Sequence, residues 1–161
     1  MSILAVLSLG GAELARYTLL HQKMERIAGS IGDLIAQAQT LSETDVTNVF
    51  AAISEIARPF DLSTSGVVII SSIGATAGGG PTMNWQRLGG GVLPAPSQIA
   101  TTPGASATMP VGFTVSDGET VITAEVLFDY QPWLFEALIG NTQLYHTAFF
   151  RPRLGTLSAI N

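Results

Sequence analysis

The first twelve residues, Met1 to Ala12 (MSILAVLSLGGA), carry no charge, and the helical pattern then continues without a break. Glu13, Arg16, Lys23, Glu25, Arg26 and Asp33 decorate a stretch that keeps an apolar stripe as far as Ala38. Leu20, Met24, Ile27, Ile31, Leu34, Ile35 and Ala38 recur at three- and four-residue steps, which predicts one long helix over residues 3–39 with one apolar face. An uncharged nose joined to such a helix predicts that this end is embedded in a membrane, a fibre or a partner. Twelve helical residues cover about 18 Å, and about twenty apolar residues are needed to cross a bilayer core. Read up to Glu13, the nose can dip into a membrane without crossing it. No basic segment precedes it, which argues against an ordinary secretory signal.

Composition points the same way. Of 161 residues, 47 % are hydrophobic and 12 % charged, where soluble domains average about a quarter charged. Apolar surface is therefore available for an interface or a lipid phase. The net charge of −5 and the scattered Lys and Arg exclude a basic, aromatic-interleaved nucleic-acid surface. With no cysteine, a disulfide framework, a thiolate metal site and a Cys nucleophile are excluded. The two histidines, His21 and His146, are so far apart in sequence that only the fold could bring them together. Both are expected to be surface or partly buried side chains, and no cofactor is expected.

Gly10, Gly11, Gly29 and Gly32 weaken the helix by up to about 1 kcal/mol each against Ala. They mark a close-packing surface or, for Gly29 and Gly32 equally, tolerated glycines on an exposed face. Ser42 is placed to cap a second helix, with Glu43 and Asp45 in its first turn. Val46, Val49, Phe50, Ile53, Ile56 and Ala57 form its buried stripe, and Arg58-Pro59 ends it.

After Pro59 the period drops to two. Strands are predicted at 66–73, 83–88, 106–115, 119–130 and 142–150, with loops at 74–81 and 89–103. Asp117-Gly118 is a tight-turn pair, so 106–115 and 119–130 are expected to form a hairpin, with Pro110 at an edge or bulge. Residues 132–139 are expected to form a short helix or an irregular crossing. The predicted class is α+β, a long N-terminal helix and a second helix packed on a four- to five-stranded antiparallel sheet with one wet face. Residues 1–40 form the apolar, amphipathic stalk helix and 41–161 the head, together one unit.

Enzyme chemistry is weakly represented. Glu125 and Asp129 share a strand face and are expected to be solvated there. Gly78-Gly79-Gly80-Pro81 lacks the Lys-Ser/Thr of a phosphate loop, and no Gly-x-Ser-x-Gly elbow occurs. The aromatic residues Phe128, Tyr130, Trp133, Phe135, Tyr145, Phe149 and Phe150 are expected in the core, with Trp133 as the seed of an exposed alternative. Glu13 sits at the boundary of the nose, where Arg16 can neutralise it from the same helix. Leu7, Glu13, Arg16 and Leu20 are the residues expected at a subunit or membrane interface.

The segment Gly10-Gly11-Ala12-Glu13-Leu14-Ala15-Arg16-Tyr17 resembles the end of the membrane helix in TadE/TadG-like proteins, the minor pilins or pseudopilins of tight-adherence pili. Gln22 to Ala28, Trp85-Gln86-Arg87, Gly118 to Ile122 running into Ala124-Glu125-Val126, Asp129 to Pro132, and Phe149 to Leu154 are similar in style and follow in the same order. The resemblance implies a bitopic inner-membrane protein with a periplasmic head and no catalytic site. It implies processing by a prepilin peptidase and a role in priming or assembling a pilus, or a place within it. Its partners would be other pilin subunits, assembly proteins and membrane lipid. Family precursors carry a basic leader ending in Gly and a Glu five residues after the cut. Neither is visible here, so the expectation is either that the leader and the front half of the membrane helix belong upstream of Met1 or that this is a short, soluble relative, and Glu13 matches the family's later Glu-Leu-x-Arg element. An envelope binding module with its ligand held by loops 74–81 and 89–103 is the alternative.

Overall fold

The computed structural model describes residues 3–133 and 140–161. Its elements run α1 (Ile3–Ala36), α2 (Glu43–Ala57), α3 (Leu62–Ser65), β1 (Gly66–Ala75), β2 (Pro81–Gly89), β3 (Thr120–Tyr130) and β4 (Thr142–Phe150). The strands form one antiparallel sheet in the order β2-β1-β3-β4. The architecture is the expected α+β one, a long helix and a second helix on a four-stranded sheet.

Each helix end has a local cause. Ser42 accepts from the Asp45 N–H while Asp45 accepts from the Ser42 N–H, a reciprocal capping box that starts α2. Arg58 turns to extended backbone at ψ 138°, and α2 stops at Ala57. α1 ends at Ala36, and the Arg153 N–H donates to the Ala36 carbonyl at 2.9 Å. The Arg153 guanidinium also meets Asp33 at 2.6 Å, so the C-terminal segment closes the end of α1.

The core lies between the helices and one sheet face. Leu20, Met24, Ile27, Ile31 and Ile35 of α1 and Val46, Ile53 and Ala57 of α2 pack on Val68, Ile70, Trp85, Ile122, Ala124, Val126, Phe128 and Leu144. The Trp85 indole N–H donates to the Leu157 carbonyl at 2.9 Å, so burial leaves it satisfied. Gly32 permits a close approach of sheet to helix, since a Cβ there would collide with the Phe150 ring. A Cβ on Gly29 would meet nothing within 4 Å. The two glycines left ambiguous by the sequence thus divide, one a packing position and one a tolerated position.

Two expectations are corrected. Residues 106–115 form no strand, and the predicted hairpin is absent. The Asp117-Gly118 turn does form, with the Glu119 N–H donating to the Ser116 carbonyl at 3.0 Å and Gly118 at φ +77°. However, both edges of β3 are occupied, by β1 on one side and β4 on the other. Pro110 has no N–H to offer a ladder, and Gly112 takes φ +84°, which breaks an extended run. The segment instead crosses the second sheet face, held by the Ala107 N–H to the Pro81 carbonyl at 2.8 Å and the Thr108 N–H to the Ile99 carbonyl at 2.8 Å.

The sheet therefore has no wet face at its centre. Ala107, Met109 and Val115 join Ile99 and Ala100 over Ile73 and Met83, and Leu93 and Ala95 cover Val67, Ile69 and Leu127. The alternation read in 106–115 is real, but its apolar half caps a sheet rather than extending one. Residues 134–139, including Phe135 and most of the expected helix at 132–139, lie outside the described residues.

We predict opposite signs at the two glycines. Gly32→Val forces Phe150 aside and should cost about 1–3 kcal/mol, whereas Gly29→Ala should gain up to about 1 kcal/mol. Denaturant unfolding of the full chain checks both.

Candidate functional site

Ten residues of α1, from Ile3 to Ala12, precede its first buried side chain, that of Glu13. Ile3, Leu4 and Leu7 are 79 %, 74 % and 67 % exposed, and Val6, Leu9 and Leu14 are exposed with them. As expected, the helix continues unbroken through Glu13 and Arg16. An 18-residue window of α1 has a mean hydropathy of 1.4, and only 11 % of it is buried in the protein. By length and composition α1 is apolar enough to cross a membrane, as an anchor or a signal sequence is, and the low burial separates this stretch from an ordinary core helix.

Where α1 meets the head, a polar collar forms. The Glu13 carboxylate accepts from the Tyr130 hydroxyl and from the Trp133 N–H at 3.0 Å. Arg16 lies 3.9 Å from the same carboxylate, donates to the Gln131 carbonyl at 3.1 Å and stands 4.3 Å over the Trp133 ring. Burial of Tyr130, then the hydrogen bond and charge of Glu13, push the phenol above its ordinary range. Trp133 is 76 % exposed beside Pro59 and Phe60, and with Arg16, Asp61 and Asp129 these residues line an open cavity of about 480 Å³. The collar thus holds a buried carboxylate, its cation and an exposed indole in one band around the helix.

Of the four expected interface residues, Glu13 and Arg16 are brought together and Leu7 is exposed. Leu20 is 2 % exposed and packs inside the core, where the chain itself covers it.

Glu125 is the second correction of a site residue. It is fully buried rather than solvated, and accepts from the Ser97 hydroxyl, the Gln98 N–H at 2.9 Å and the Tyr145 hydroxyl at 3.0 Å. Ser97 and Gln98 pin the loop after β2 to the sheet, and Tyr145 reaches the same carboxylate from β4. Asp129 lies at the sheet's end, accepting from the Gln143 amide at 3.1 Å, and does not pair with Glu125.

The sequence reading missed one juxtaposition. His21 Nδ1 and His146 Nε2 are 2.8 Å apart, joining α1 to β4. Their rings stand edge to face with centroids 5.0 Å apart, and Tyr17 packs on His21 at 4.5 Å and on Tyr130 at 5.2 Å. Burial, then the neighbouring His21, hold His146 below its ordinary range, with Glu25 acting in the opposite direction. Glu13, Tyr17, His21 and Glu25 are spaced four residues apart. That spacing lays them along one side of a helix, a polar stripe beside the apolar one that a period count restricted to apolar residues overlooks. Among the described residues no three His, Asp or Glu side chains converge as a metal cluster.

Comparison with protein-family models, with curated proteins and with solved structures gives no match.

Two substitutions test this geometry. Glu125→Ala leaves three donors without their acceptor and should cost about 1–3 kcal/mol, with faster amide exchange at Gln98, Ile99 and Ala100. Glu13→Ala should free the Tyr130 hydroxyl and return the phenol toward its ordinary range, read by spectrophotometric titration of the full chain.

Proposed function

We propose that this protein is a membrane-tethered, pilin-like subunit, a TadE/TadG-like minor pilin that takes part in assembling or priming a tight-adherence pilus. The observation that carries this reading is the division of α1. Its second half is the central helix of the head, and its first ten residues, Ile3 to Ala12, are uncharged and stand outside the head's core. A single helix with this division couples a lipid- or helix-facing segment rigidly to a folded head. The motif resemblance from Gly10 to Leu154 supports the same assignment.

The mechanism is packing rather than chemistry. Ile3, Leu4 and Leu7 contact acyl chains before assembly and the corresponding helices of neighbouring subunits after it. Lipid tails are as apolar as leucine, so this exchange is driven by close packing and not by water release. Gly10 and Gly11 suit it, and a Cβ on Gly11 would meet nothing of the chain's own within 4 Å. The collar defines the depth of insertion, with Trp133 and Arg16 at the level where an amphipathic ring and a cation are stable. The head presents its surface to assembly partners, and no step requires a catalytic residue.

Deletion of the gene should abolish or sharply reduce surface pili and surface adhesion, scored by electron microscopy and attachment assays, and the wild-type gene should restore both. Leu7→Glu carries a charge into the apolar segment at up to about 3 kcal/mol. It should shift the protein out of the membrane fraction and fail to complement, while the head still folds. Pili and adhesion unchanged on deletion would overturn the assignment.

A further inference from the structure

The imidazole pair between α1 and β4 has an arrangement that packing alone does not require. Two facing ring nitrogens 2.8 Å apart mean that one N–H donates to the other ring's lone pair. Both rings are partly buried and both sit on regular elements, His21 on the helix and His146 on the strand. Among the described residues β4 is an edge strand of the sheet, with β3 as its one strand neighbour.

We propose that His21 and His146 form a clamp for a divalent transition-metal ion of the zinc, nickel or copper class. Two metal–imidazole bonds of about 2.0–2.1 Å hold their nitrogens about 2.9–3.4 Å apart for bond angles between a right angle and a tetrahedron. From the observed 2.8 Å the nitrogens separate by a few tenths of an ångström, and each ring turns so that its lone pair points to one side of the line between them, where the ion sits. The ring that donates moves its proton to its outward nitrogen through solvent. Both inward lone pairs then face the ion, and no net proton is released from the pair. The two imidazoles are the protein's ligands, and water fills the remaining coordination positions. Imidazole nitrogens select this class of ion over magnesium or calcium, which take oxygen ligands. The bound ion would staple the edge strand to the stalk helix.

The test uses the untagged full chain in detergent, with ZnCl₂, NiCl₂ and CuCl₂ as probes and MgCl₂ as the control. A hundredfold excess of the ion over its dissociation constant should raise Tm by about 5–10 °C. Magnesium should not. His21→Gln and His146→Gln should each abolish the shift. No shift in the wild type, or an equal shift in both variants, overturns the proposal. Should a variant fail to fold, Cu²⁺ electron paramagnetic resonance on the wild-type chain still decides it. Hyperfine coupling to two imidazole nitrogens is the expected result, and a spectrum with one or none overturns the proposal.

Discussion

Leu20, Met24, Ile27, Ile31 and Ile35 lie in one row on α1, and the sheet face beneath them is almost wholly buried. Removing each such side chain from water contributes about 1.5–3 kcal/mol before the entropy of ordering is subtracted. That row sets the position of the head on the helix. Residues 3–12, N-terminal to Glu13, must either find another partner or remain outside, and α1 therefore has two environments along one unbroken axis. α2, the C-terminal segment and the cap on the far sheet face all complete a core whose axis this row defines.

The change of environment is abrupt, and Glu13 stands where it occurs. A carboxylate at the edge of an apolar segment is costly unless hydrogen-bonded and paired. Here the Tyr130 hydroxyl, the Trp133 N–H and Arg16 surround it. The sequence reading anticipated the Arg16 partner from the three-residue spacing, but not Tyr130 or Trp133, which arrive from the far end of β3. A residue's local neighbours are visible in a sequence, while partners more than a hundred positions away depend on the register of the sheet.

The same distinction explains the rest of the comparison. The two long helices, the Ser42 cap, the stop before Pro59 and four of the five expected strands follow from local period and local chemistry, and so were legible. The failure at 106–115 came from treating alternation as proof of pairing. Alternation says which side chains are buried, and the free hydrogen-bonding edge that would make such a segment a strand is a property of the whole sheet. Glu125 was misread for the same reason, because whether a face is wet depends on what crosses it. The single-turn α3 is too short for a periodic pattern to reveal. The histidine pair joins residues 21 and 146, and its only local trace was the four-residue polar spacing from Glu13 to Glu25.

The seating of α1 in the head also has a mechanical meaning. A tether joined through a flexible linker passes tension to one point of a domain. Here a pull along the exposed segment travels down a continuous hydrogen-bonded helix. It reaches the head as shear spread over the whole contact from Leu20 to Ala36, with the Arg153 clamp at its far end. Shear along a packed interface breaks many contacts together instead of one at a time. A head held this way can bear load without first unravelling from its point of attachment.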